Sequence, residues 1–307
     1  MEAEFIAWLR KRLPRHPLLR LGPGDDAAVL QMAGGDCVLT VDMLTDHVDF
    51  ELSKVDPRRA GRKCLAVNLS DLAAMAAVPL AGVVALALPR RGGMELALAL
   101  YQGILPLAEQ YELAIAGGDT NSWDGPLVVS VTLIGRVTED GPLRRDGARP
   151  DDRILVTGSF GGSILGRHLD FEPYVREALL LNGRYELHAG IDCSDGLSVD
   201  LAHLAEQSGC GAIVDTASVP IHADAQRLAG QRAGGSTPLE HALADGEDFE
   251  LILAVPPREA KRLLADGPLE TPLTDIGRFT AKPGLWQQTG QAAPRQLIPR
   301  GWQHHFD

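Results

Sequence analysis

The chain has 307 residues, of which 45% are hydrophobic and 23% are charged. It can therefore bury a large core, and its length predicts about two domains. The net charge of −12 argues against a nucleic-acid-binding surface or an anionic membrane face, and an aromatic content of 5% leaves few side chains for stacking on bases. An acidic excess is compatible with the binding of divalent cations.

The N-terminal segment has the pattern of a helix rather than that of a signal peptide. Phe5, Ile6, Leu9 and Leu13 recur at roughly helical spacing, but acids and a basic cluster interrupt the segment. We therefore expect a cytoplasmic chain.

The longest apolar run extends from Val67 to Pro89 and is broken by Asp71, Pro79 and Gly82. These interruptions and the high alanine content predict a packed helix followed by a strand, and no membrane span.

Five β-branched or alternating runs bounded by Gly, Asp or Pro predict strands, at 37–44, 113–117, 127–137, 153–158 and 249–256. Helices are predicted between them, for example over 57–77 and over 196–207. Asp56 can cap the first of these helices, and Pro57 suits its first position. The pattern predicts a mixed α/β protein.

A charged loop, LRRDGARPDD at 143–152, lies near the middle of the chain and precedes a new strand. It predicts a boundary between an N-terminal domain, 1–148, and a C-terminal domain, 149–307. The following glycine-rich stretch, GSFGGS at 158–163, could present backbone amides to a phosphate, or it could be a plain strand-to-helix turn.

Acidic residues recur next to glycine, or at the ends of predicted strands and the starts of helices. Glycine permits close backbone approach, and carboxylates are the hard oxygen ligands that magnesium prefers. Any one of these acids is more often a turn former or a helix cap, so only the set is informative. The set comprises Asp25, Asp26, Asp42, Asp71, Asp119, Asp192, Asp195, Glu247 and Asp248.

Asp71 stands apart because it is the only ionisable residue in the run from Val67 to Pro89. A charge in such apolar surroundings must be paired, hydrogen-bonded or metal-bound. Asn68, three residues earlier, shares its helix face and could supply an oxygen to the same ion or to a phosphate.

The usual nucleotide signatures are missing, since there is no G-x-x-x-x-G-K-[ST] loop, no G-x-G-x-x-G turn and no protein-kinase motif set. ATP would therefore bind through carboxylate-held metal ions. Four cysteines without C-x-x-C spacing predict reduced, structural thiols rather than zinc ligands or disulfides, at Cys37, Cys64, Cys193 and Cys210.

The order of the motifs GDDAAV, TVDML, KCLAVNLSDLAAMAAVP, AGGDT, DGARPDDRILVTG, IDCSDGLSVDLAHL, GEDFEL and the closing GW-x-x-HF resembles the thiamine-monophosphate kinase family. That family belongs to the aminoimidazole ribonucleotide synthetase-like superfamily, and the resemblance extends from about Gly22 to Phe306.

The resemblance implies two α/β domains with mixed sheets flanked by helices, and a homodimer whose interface lies in the N-terminal domain. The implied reaction is ATP-dependent phosphorylation of thiamine monophosphate to thiamine diphosphate with several Mg²⁺ ions. The N-terminal domain would carry most ligands for metal and ATP, and the C-terminal domain would complete the ATP and substrate site.

The resemblance also implies roles for individual residues. The metal ligands would be Asp26, Thr40, Val41, Asp42, Asp71, Asp119, Asp192 and Asp195. ATP would be contacted by Tyr101, Gly118, Asp119, Arg145 and Ser194. The thiamine substrate would be contacted by Asp49, Glu247 and Trp302.

Direct in-line transfer fits such a site because a phosphate nucleophile is already ionised and needs no strong base. A phosphoenzyme on His203 is the competing mechanism, although a lone helical histidine is more often structural.

Other functions remain open. One is another phosphotransferase or synthetase of the superfamily with a different acceptor, and another is a non-enzymatic metal- or nucleotide-binding protein. Selenophosphate synthetase is disfavoured because no cysteine precedes Cys37, and the hydrogenase-maturation relative is disfavoured because no cysteine follows Cys210.

Two positions depart from the family pattern. Val41 stands where the family often has threonine, and Asp49 stands where it has a substrate-contacting histidine. An anion at Asp49 would repel the acceptor phosphate unless a metal, Arg58 or Arg59 screened it. His47 could substitute for the missing histidine if this stretch is extended, or both side chains could be solvated loop residues.

Overall fold

The structure is a computed structural model, and it describes Trp8, Lys11 and residues 17–22, 24–231, 235–290 and 292–303. The helical pattern from Phe5 to Leu13 and the closing Phe306 lie outside the described residues, apart from Trp8 and Lys11. The chain divides into two compact units. The N-terminal unit consists of 17–141 and 169–175, and the C-terminal unit contains 142–168 and the chain from 176 onward.

The N-terminal unit is built on a six-stranded mixed sheet with the order β1-β2-β3-β6-β4-β5. Neighbouring strands are antiparallel except for the parallel pair β4 and β5. The strands are β1 (Leu19–Leu21), β2 (Ala28–Met32), β3 (Gly35–Thr45), β4 (Ala77–Pro89), β5 (Ala114–Trp123) and β6 (Val128–Val137). Two helices accompany the sheet, α1 (Pro57–Ala74) and α2 (Gly93–Gln110).

Helix α1 packs against β3, β6 and β4, so the two faces of this sheet differ. Along β3 the even-numbered residues Val38, Thr40 and Leu44 are buried, whereas Val41 and Met43 are 60% and 66% exposed. This period-two alternation defines a covered face toward α1 and an open face.

The start of α1 follows its capping signals. The Asp56 carboxylate accepts a hydrogen bond from the Arg58 amide at 2.9 Å, and Pro57 occupies the first helical position, as predicted. The helix ends at Ala74, three residues earlier than predicted, because Ala76 adopts a left-handed φ of 48° that redirects the chain into β4. The predicted order of a packed helix and then a strand is confirmed.

The C-terminal unit contains a seven-stranded mixed sheet with the order β13-β12-β9-β11-β7-β10-β8. The pair β12 and β9 is parallel and the other neighbours are antiparallel. The strands are β7 (Arg153–Thr157), β8 (Ala189–Asp192), β9 (Gly211–Asp215), β10 (Leu251–Val255), β11 (Leu273–Thr280), β12 (Gly284–Gln288) and β13 (Arg295–Gln296).

The later helices are α3 (Arg167–Asp170), α4 (Val175–Arg184), α5 (Leu197–Gln207), α6 (Ala223–Gln231), α7 (Pro238–Ala244) and α8 (Pro257–Asp266), with a 3₁₀ turn at Ser163–Leu165. Helix α5 begins one residue after its predicted start, and Leu197, Leu201 and Leu204 lie in the buried core. The predicted fold class, mixed α/β with two mixed sheets flanked by helices, is confirmed. Among the helices in the described part of the chain, none combines the length and the apolar character that a membrane span requires.

Candidate functional site

Three of the predicted metal ligands meet on the covered face of the N-terminal sheet. Asp71 lies in the last turn of α1, and its carboxylate accepts a hydrogen bond from the Thr40 hydroxyl of β3. Asp42 lies two residues beyond Thr40 on the same face and shares a hydrogen bond with the Asp71 side chain. Helix and strand therefore bring two carboxyl groups and a hydroxyl into direct contact.

This arrangement changes the acidity of Asp42. Burial raises the pKa of Asp42 to about 6, the hydrogen bond with Asp71 works in the opposite direction, and the nearby charge of Asp49 raises the pKa further. Carboxyl groups held this close share protons unless a cation neutralises them. A bound divalent cation would remove the cost of ionising both groups.

Asn68 adds an oxygen that lacks a partner. It is fully buried in α1, and its Nδ2 donates to the Cys64 carbonyl at 3.2 Å. Its Oδ1 has no hydrogen-bond partner among the described residues, and a buried oxygen left this way is costly. The oxygens of Thr40, Asp42, Asp71 and Asn68 are hard donors and fit the chemistry of Mg²⁺.

Asp119 does not join this cluster within one chain. Asp119 of β5 pairs with Ala85 of β4, Ala85 pairs with Ser130 of β6, and Ser130 pairs with Met43 of β3. This row of residues lies on the open face, where Met43 is exposed. Asp42 pairs with Val131, in a row of the covered face. The two acids lie on opposite faces and three strand spacings apart, about 14 Å.

The other predicted N-terminal residues lie on several different elements. Gly118 precedes Asp119 in β5, and a Cβ there would lie 1.8 Å from the Val84 carbonyl oxygen, so only glycine fits. Tyr101 is half-buried in α2, and the Val41 side chain projects from the open face. Asp26 is partly buried in the bend before β2, where its amide donates to the Asp25 carboxylate at 3.0 Å. One of its carboxylate oxygens lies within 4.8 Å of one of Asp71, so Asp26 adds a third carboxylate to the cluster.

The stretch around Asp49 is a turn, so the premise that it is extended is wrong. The amides of Val48 and Asp49 both donate to the Thr45 carbonyl, and His47 has a left-handed φ of 76°. The Thr45 amide donates to the Asp49 carboxylate at 2.6 Å and closes the turn. His47 is exposed and lies 3.7 Å from Asp46.

The cations expected to screen Asp49 bind elsewhere. Arg58 bonds Gln102 and lies near Asp56, and Arg59 pairs with Asp170. The structure instead places a lysine beside this turn that the sequence reasoning missed. Lys63 of α1 is fully buried and donates to the Asp49 carbonyl at 2.7 Å. Lys63 could have been identified from the sequence, because it lies in the predicted helix eight residues before Asp71.

In the C-terminal unit, the end of β8 and the loop that follows it carry three predicted residues, Asp192, Ser194 and Asp195. Asp192 is buried at the end of β8. The amides of Asp195 and Gly196 donate to the Asp200 carboxylate at 3.0 and 2.9 Å. Burial first, and then the charges of Asp195 and Asp192, raise the pKa of Asp200 well above its usual range.

The C-terminal tail is attached to this same loop. The Trp302 amide donates to the Asp195 carbonyl at 2.9 Å, and the Arg300 amide donates to Ser198 at 3.0 Å. Trp302 remains 52% exposed, although its backbone is attached to Asp195. His203 is exposed on α5, and its ring lies near the carboxylates of Asp195 and Asp200. Arg145 is close enough to Asp200 to lower the pKa of that carboxyl group.

The glycine-rich stretch 158–163 does not present free amides to a phosphate. The Gly161 amide donates to both oxygens of Asp248 at 3.0 and 2.9 Å, and the Gly162 amide donates to Asp245 at 2.8 Å. Ser159 donates to Glu250 at 3.4 Å. The amides of this loop bind the chain's own carboxylates. The prediction that they could face a phosphate is therefore wrong.

Glu247 lies in the segment that supplies those acids. It is half-buried and directly precedes Asp248. Arg167, which the sequence reasoning did not single out, donates to Asp248 at 2.7 Å. The four cysteines are free, as predicted, and burial raises the pKa of Cys64 to about 12 and of Cys210 to about 11.

Comparison with known proteins places this geometry in a family. Residues 24–137 match the family described as AIR synthase related protein, N-terminal domain, and residues 149–285 match the corresponding C-terminal domain. The chain is therefore a two-domain protein of the AIR synthase-related class.

The similarity extends to particular relatives. The chain is 40% identical to thiamine-monophosphate kinase of Rhodopirellula baltica, across 99% of this chain and 97% of the relative. The solved structure described as AaThiL complexed with AMPPCP and TMP is 26% identical, with a TM-score of 0.85, and covers 99% of this chain and 97% of its own. The thiamine-monophosphate kinase structure from Stenotrophomonas maltophilia K279a is 34% identical, with a TM-score of 0.72, covering 94% and 96%.

The chain belongs to the thiamine-monophosphate kinase family and is an enzyme of the kinase class. The resemblance read from the motif order is confirmed.

Proposed function

We propose that the chain transfers the γ-phosphoryl group of ATP to thiamine monophosphate and forms thiamine diphosphate. The observation that carries the proposal is the similarity over nearly the whole chain to an AaThiL structure that holds AMPPCP and TMP. The oxygen cluster of Thr40, Asp42 and Asp71 supports it, because two polyanionic substrates require a site that can hold cations.

Several Mg²⁺ ions fit the available donors. Asp42, Asp71, Thr40 and the unpartnered oxygen of Asn68 would hold them in the N-terminal unit, with Asp26 and the Val41 carbonyl as further ligands. Asp192 and Asp195 would hold them in the C-terminal unit. Bound Mg²⁺ would neutralise the negative charge of the two phosphate chains. Within the N-terminal unit, the chain's own contribution is to keep the Asp42 and Asp71 carboxylates close together before the substrates arrive.

The chemical step is a direct in-line displacement. A phosphate oxygen of thiamine monophosphate forms a bond to the γ-phosphorus of ATP, the bond from that phosphorus to the bridging β,γ-oxygen breaks, and ADP leaves. Tyr101, Gly118, Arg145 and Ser194 would hold ATP. Glu247 and Trp302 would hold the thiamine group, since a carboxylate and an indole ring both attract a cationic thiazolium.

The enzyme acts as a homodimer in this proposal. The open face of the N-terminal sheet exposes Val41, Met43, Val83 and Ile134, each more than 40% accessible, and a second copy would cover this apolar surface. Asp119 lies in the same open face, away from Asp42 and Asp71. We infer that Asp119 serves the site of the second copy.

Domain roles and localisation follow from the same proposal. The N-terminal domain, 1–148, would carry most metal and ATP ligands together with the dimer interface. The C-terminal domain, 149–307, would complete the ATP and substrate site. A cytoplasmic location fits a biosynthetic kinase.

The first test measures ADP release with ATP and Mg²⁺, with and without thiamine monophosphate. We expect release that depends on the acceptor and yields thiamine diphosphate. A rate of ADP release that is unchanged by thiamine monophosphate but increased by another phosphorylated acceptor would support a different kinase of this superfamily. Nucleotide binding without any release would support a binding protein.

A second test separates direct transfer from a phosphoenzyme on His203. Labelled ATP mixed with enzyme and no acceptor should leave no acid-labile phosphoprotein. Label on His203 that thiamine monophosphate then removes would overturn direct transfer, and His203→Gln would confirm the attachment point.

The dimer proposal has its own test. Asp71→Asn and Asp119→Asn chains, each inactive alone, are mixed and allowed to exchange subunits. If Asp119 acts in the partner's site, each mixed dimer has one intact site and random mixing restores about a quarter of wild-type activity. If both acids act in one chain's site, mixing restores none.

A further inference from the structure

The segment from Gly246 to Glu250 has an unusual backbone. Gly246, Glu247 and Phe249 have left-handed φ values of 73°, 54° and 52°. Such angles cost non-glycine residues about 1–3 kcal/mol each and persist only where surrounding contacts impose them. Two of them flank Asp248, so this segment is held against its local preference.

Backbone contacts supply part of the restraint. The Glu247 amide donates to the Ser194 carbonyl at 2.7 Å, and the Phe249 amide donates to the Cys193 carbonyl at 2.7 Å. The Ser163 hydroxyl donates to the Glu247 carbonyl at 2.6 Å. Glu247 is therefore fixed from both sides, by the loop after β8 and by the glycine-rich stretch.

Asp248 supplies the remaining restraint. It is 2% exposed and binds the Gly161 amide through both carboxylate oxygens and the Arg167 guanidinium at 2.7 Å. Arg167 also lies 3.4 Å from the Gly161 carbonyl, and its Nε has no hydrogen-bond partner among the described residues. A Cβ on Gly161 would lie 2.7 Å from the Ala242 amide nitrogen, so the loop has little room to move.

We propose that Arg167 and Asp248 are positioning residues that hold Glu247 in the orientation required to recognise the cationic thiamine group of the acceptor. The inference rests on the proposed function, because it assigns Glu247 to that substrate. Neither residue touches the reacting atoms. The pair acts by fixing the strained backbone on both sides of Glu247, so its loss affects acceptor binding more than ATP binding.

The test compares Arg167→Met with Arg153→Met. Arg153 pairs with Asp275 at 2.7 and 2.8 Å in the same unit, so the control removes an arginine from another ion pair. We expect Arg167→Met to raise KM for thiamine monophosphate about tenfold, since small misplacements of binding groups are costly, and to leave KM for ATP unchanged. Arg167→Lys should lie between wild type and Arg167→Met, and Arg153→Met should match wild type.

A structural readout accompanies the kinetics. Hydrogen exchange at the Glu247 and Phe249 amides should accelerate in Arg167→Met and not in Arg153→Met. A folded Arg167→Met enzyme with wild-type KM and wild-type exchange would overturn the inference. If Arg167→Met does not fold, Arg167→Lys takes its place, and wild-type KM and exchange in that variant would overturn the inference in the same way. Wild-type enzyme without thiamine-dependent turnover would defeat the proposed function, whereas the exchange comparison would still test the positioning role.

Discussion

Two sets of carboxylates, one in each unit, differ in the donors that surround them. In the C-terminal unit, Asp245 and Asp248 receive backbone amides from the glycine-rich stretch, and Asp248 also receives a guanidinium. In the N-terminal unit, Asp71 accepts a hydrogen bond from the Thr40 hydroxyl, and its side chain lies against the carboxyl group of Asp42. Both sets lie next to glycine or apolar sequence, yet one is satisfied by the fold and the other crowds negative charge.

The difference separates structural acids from candidate ligand acids. A carboxylate that already accepts amide hydrogen bonds uses its oxygens within the folded chain, and removing that carboxylate destabilises the protein. Carboxyl groups placed against each other destabilise the folded chain until a cation binds. Proximity to glycine does not distinguish the two kinds, whereas the identity of the donors around each acid does.

The largest effect is expected for Asp71→Asn. This change keeps the shape of the side chain but removes a ligand charge, so kcat/KM should fall by about 10³-fold or more. ADP release at saturating Mg²⁺ measures the loss, and circular dichroism checks that the fold persists. Turnover like that of wild type in this variant, at the usual Mg²⁺ concentration of the assay, would contradict the assignment of Asp71 as a metal ligand.

Opposite stability effects are expected for Asp42→Asn and Asp245→Asn. Without Mg²⁺, Asp42→Asn should raise the thermal midpoint, because burial disfavours the charge of Asp42. Asp245→Asn should lower the free energy of unfolding by about 1–2 kcal/mol, and the midpoint with it, since one amide oxygen cannot replace the carboxylate that binds the Gly162 amide and His241. Differential scanning calorimetry at pH 8 measures both.

The pH dependence of stability further distinguishes Asp42→Asn from Asp245→Asn. The folded pKa of Asp42, about 6, exceeds its unfolded value of 3.8, so the folded chain binds more protons between these values. The contribution of Asp42 to stability is therefore present below about pH 4 and is lost as pH rises through 6. Asp42→Asn should lack this decline, and Mg²⁺ should raise the midpoint of wild type and of Asp245→Asn but not that of Asp42→Asn. Equal stability changes in both Asn variants would contradict the distinction between the two acidic sets.

A moderate effect is expected for Gly301→Ala. A Cβ at Gly301 would lie 2.2 Å from the Asp195 carbonyl and 2.7 Å from Val199, so the tail that carries Trp302 must move. KM for thiamine monophosphate should rise about tenfold with a smaller change in kcat. Gly230→Ala is the control, because a Cβ there meets nothing within 4 Å. Unchanged KM in Gly301→Ala would remove Trp302 from the substrate site.

The smallest effect is expected for Asp49→His. Removing the anion should improve kcat/KM for thiamine monophosphate a few-fold, because repulsion of the acceptor phosphate is relieved. The loss of the 2.6 Å hydrogen bond from the Thr45 amide should lower the thermal midpoint. If Asp49→His and His47→Ala both leave the kinetics unchanged, neither side chain touches the acceptor, and the substrate mapping on this turn is wrong.

Much of the fold and part of the candidate site could be predicted from sequence because their signals are local. The helix cap at Asp56, the alternation along β3 and the apolar face of α5 are each encoded within a few neighbouring residues. Asp71 was identifiable as a partnered acid because an isolated charge in apolar sequence requires compensation. The conformation around Asp49 was not predictable, since the left-handed φ of His47 depends on the closing contacts of the turn.

The sequence by itself determined the mixed α/β class, the family and the identity of the acidic candidates, because periodicity, motif order and residue chemistry are properties of the linear chain. Only the tertiary structure decided which oxygens meet which donors. It placed Thr40 against Asp71, put Asp119 on the opposite face of the sheet from Asp42, and gave the glycine-rich amides to Asp245 and Asp248. These outcomes depend on strand register and on contacts between residues distant in sequence, which no local pattern encodes.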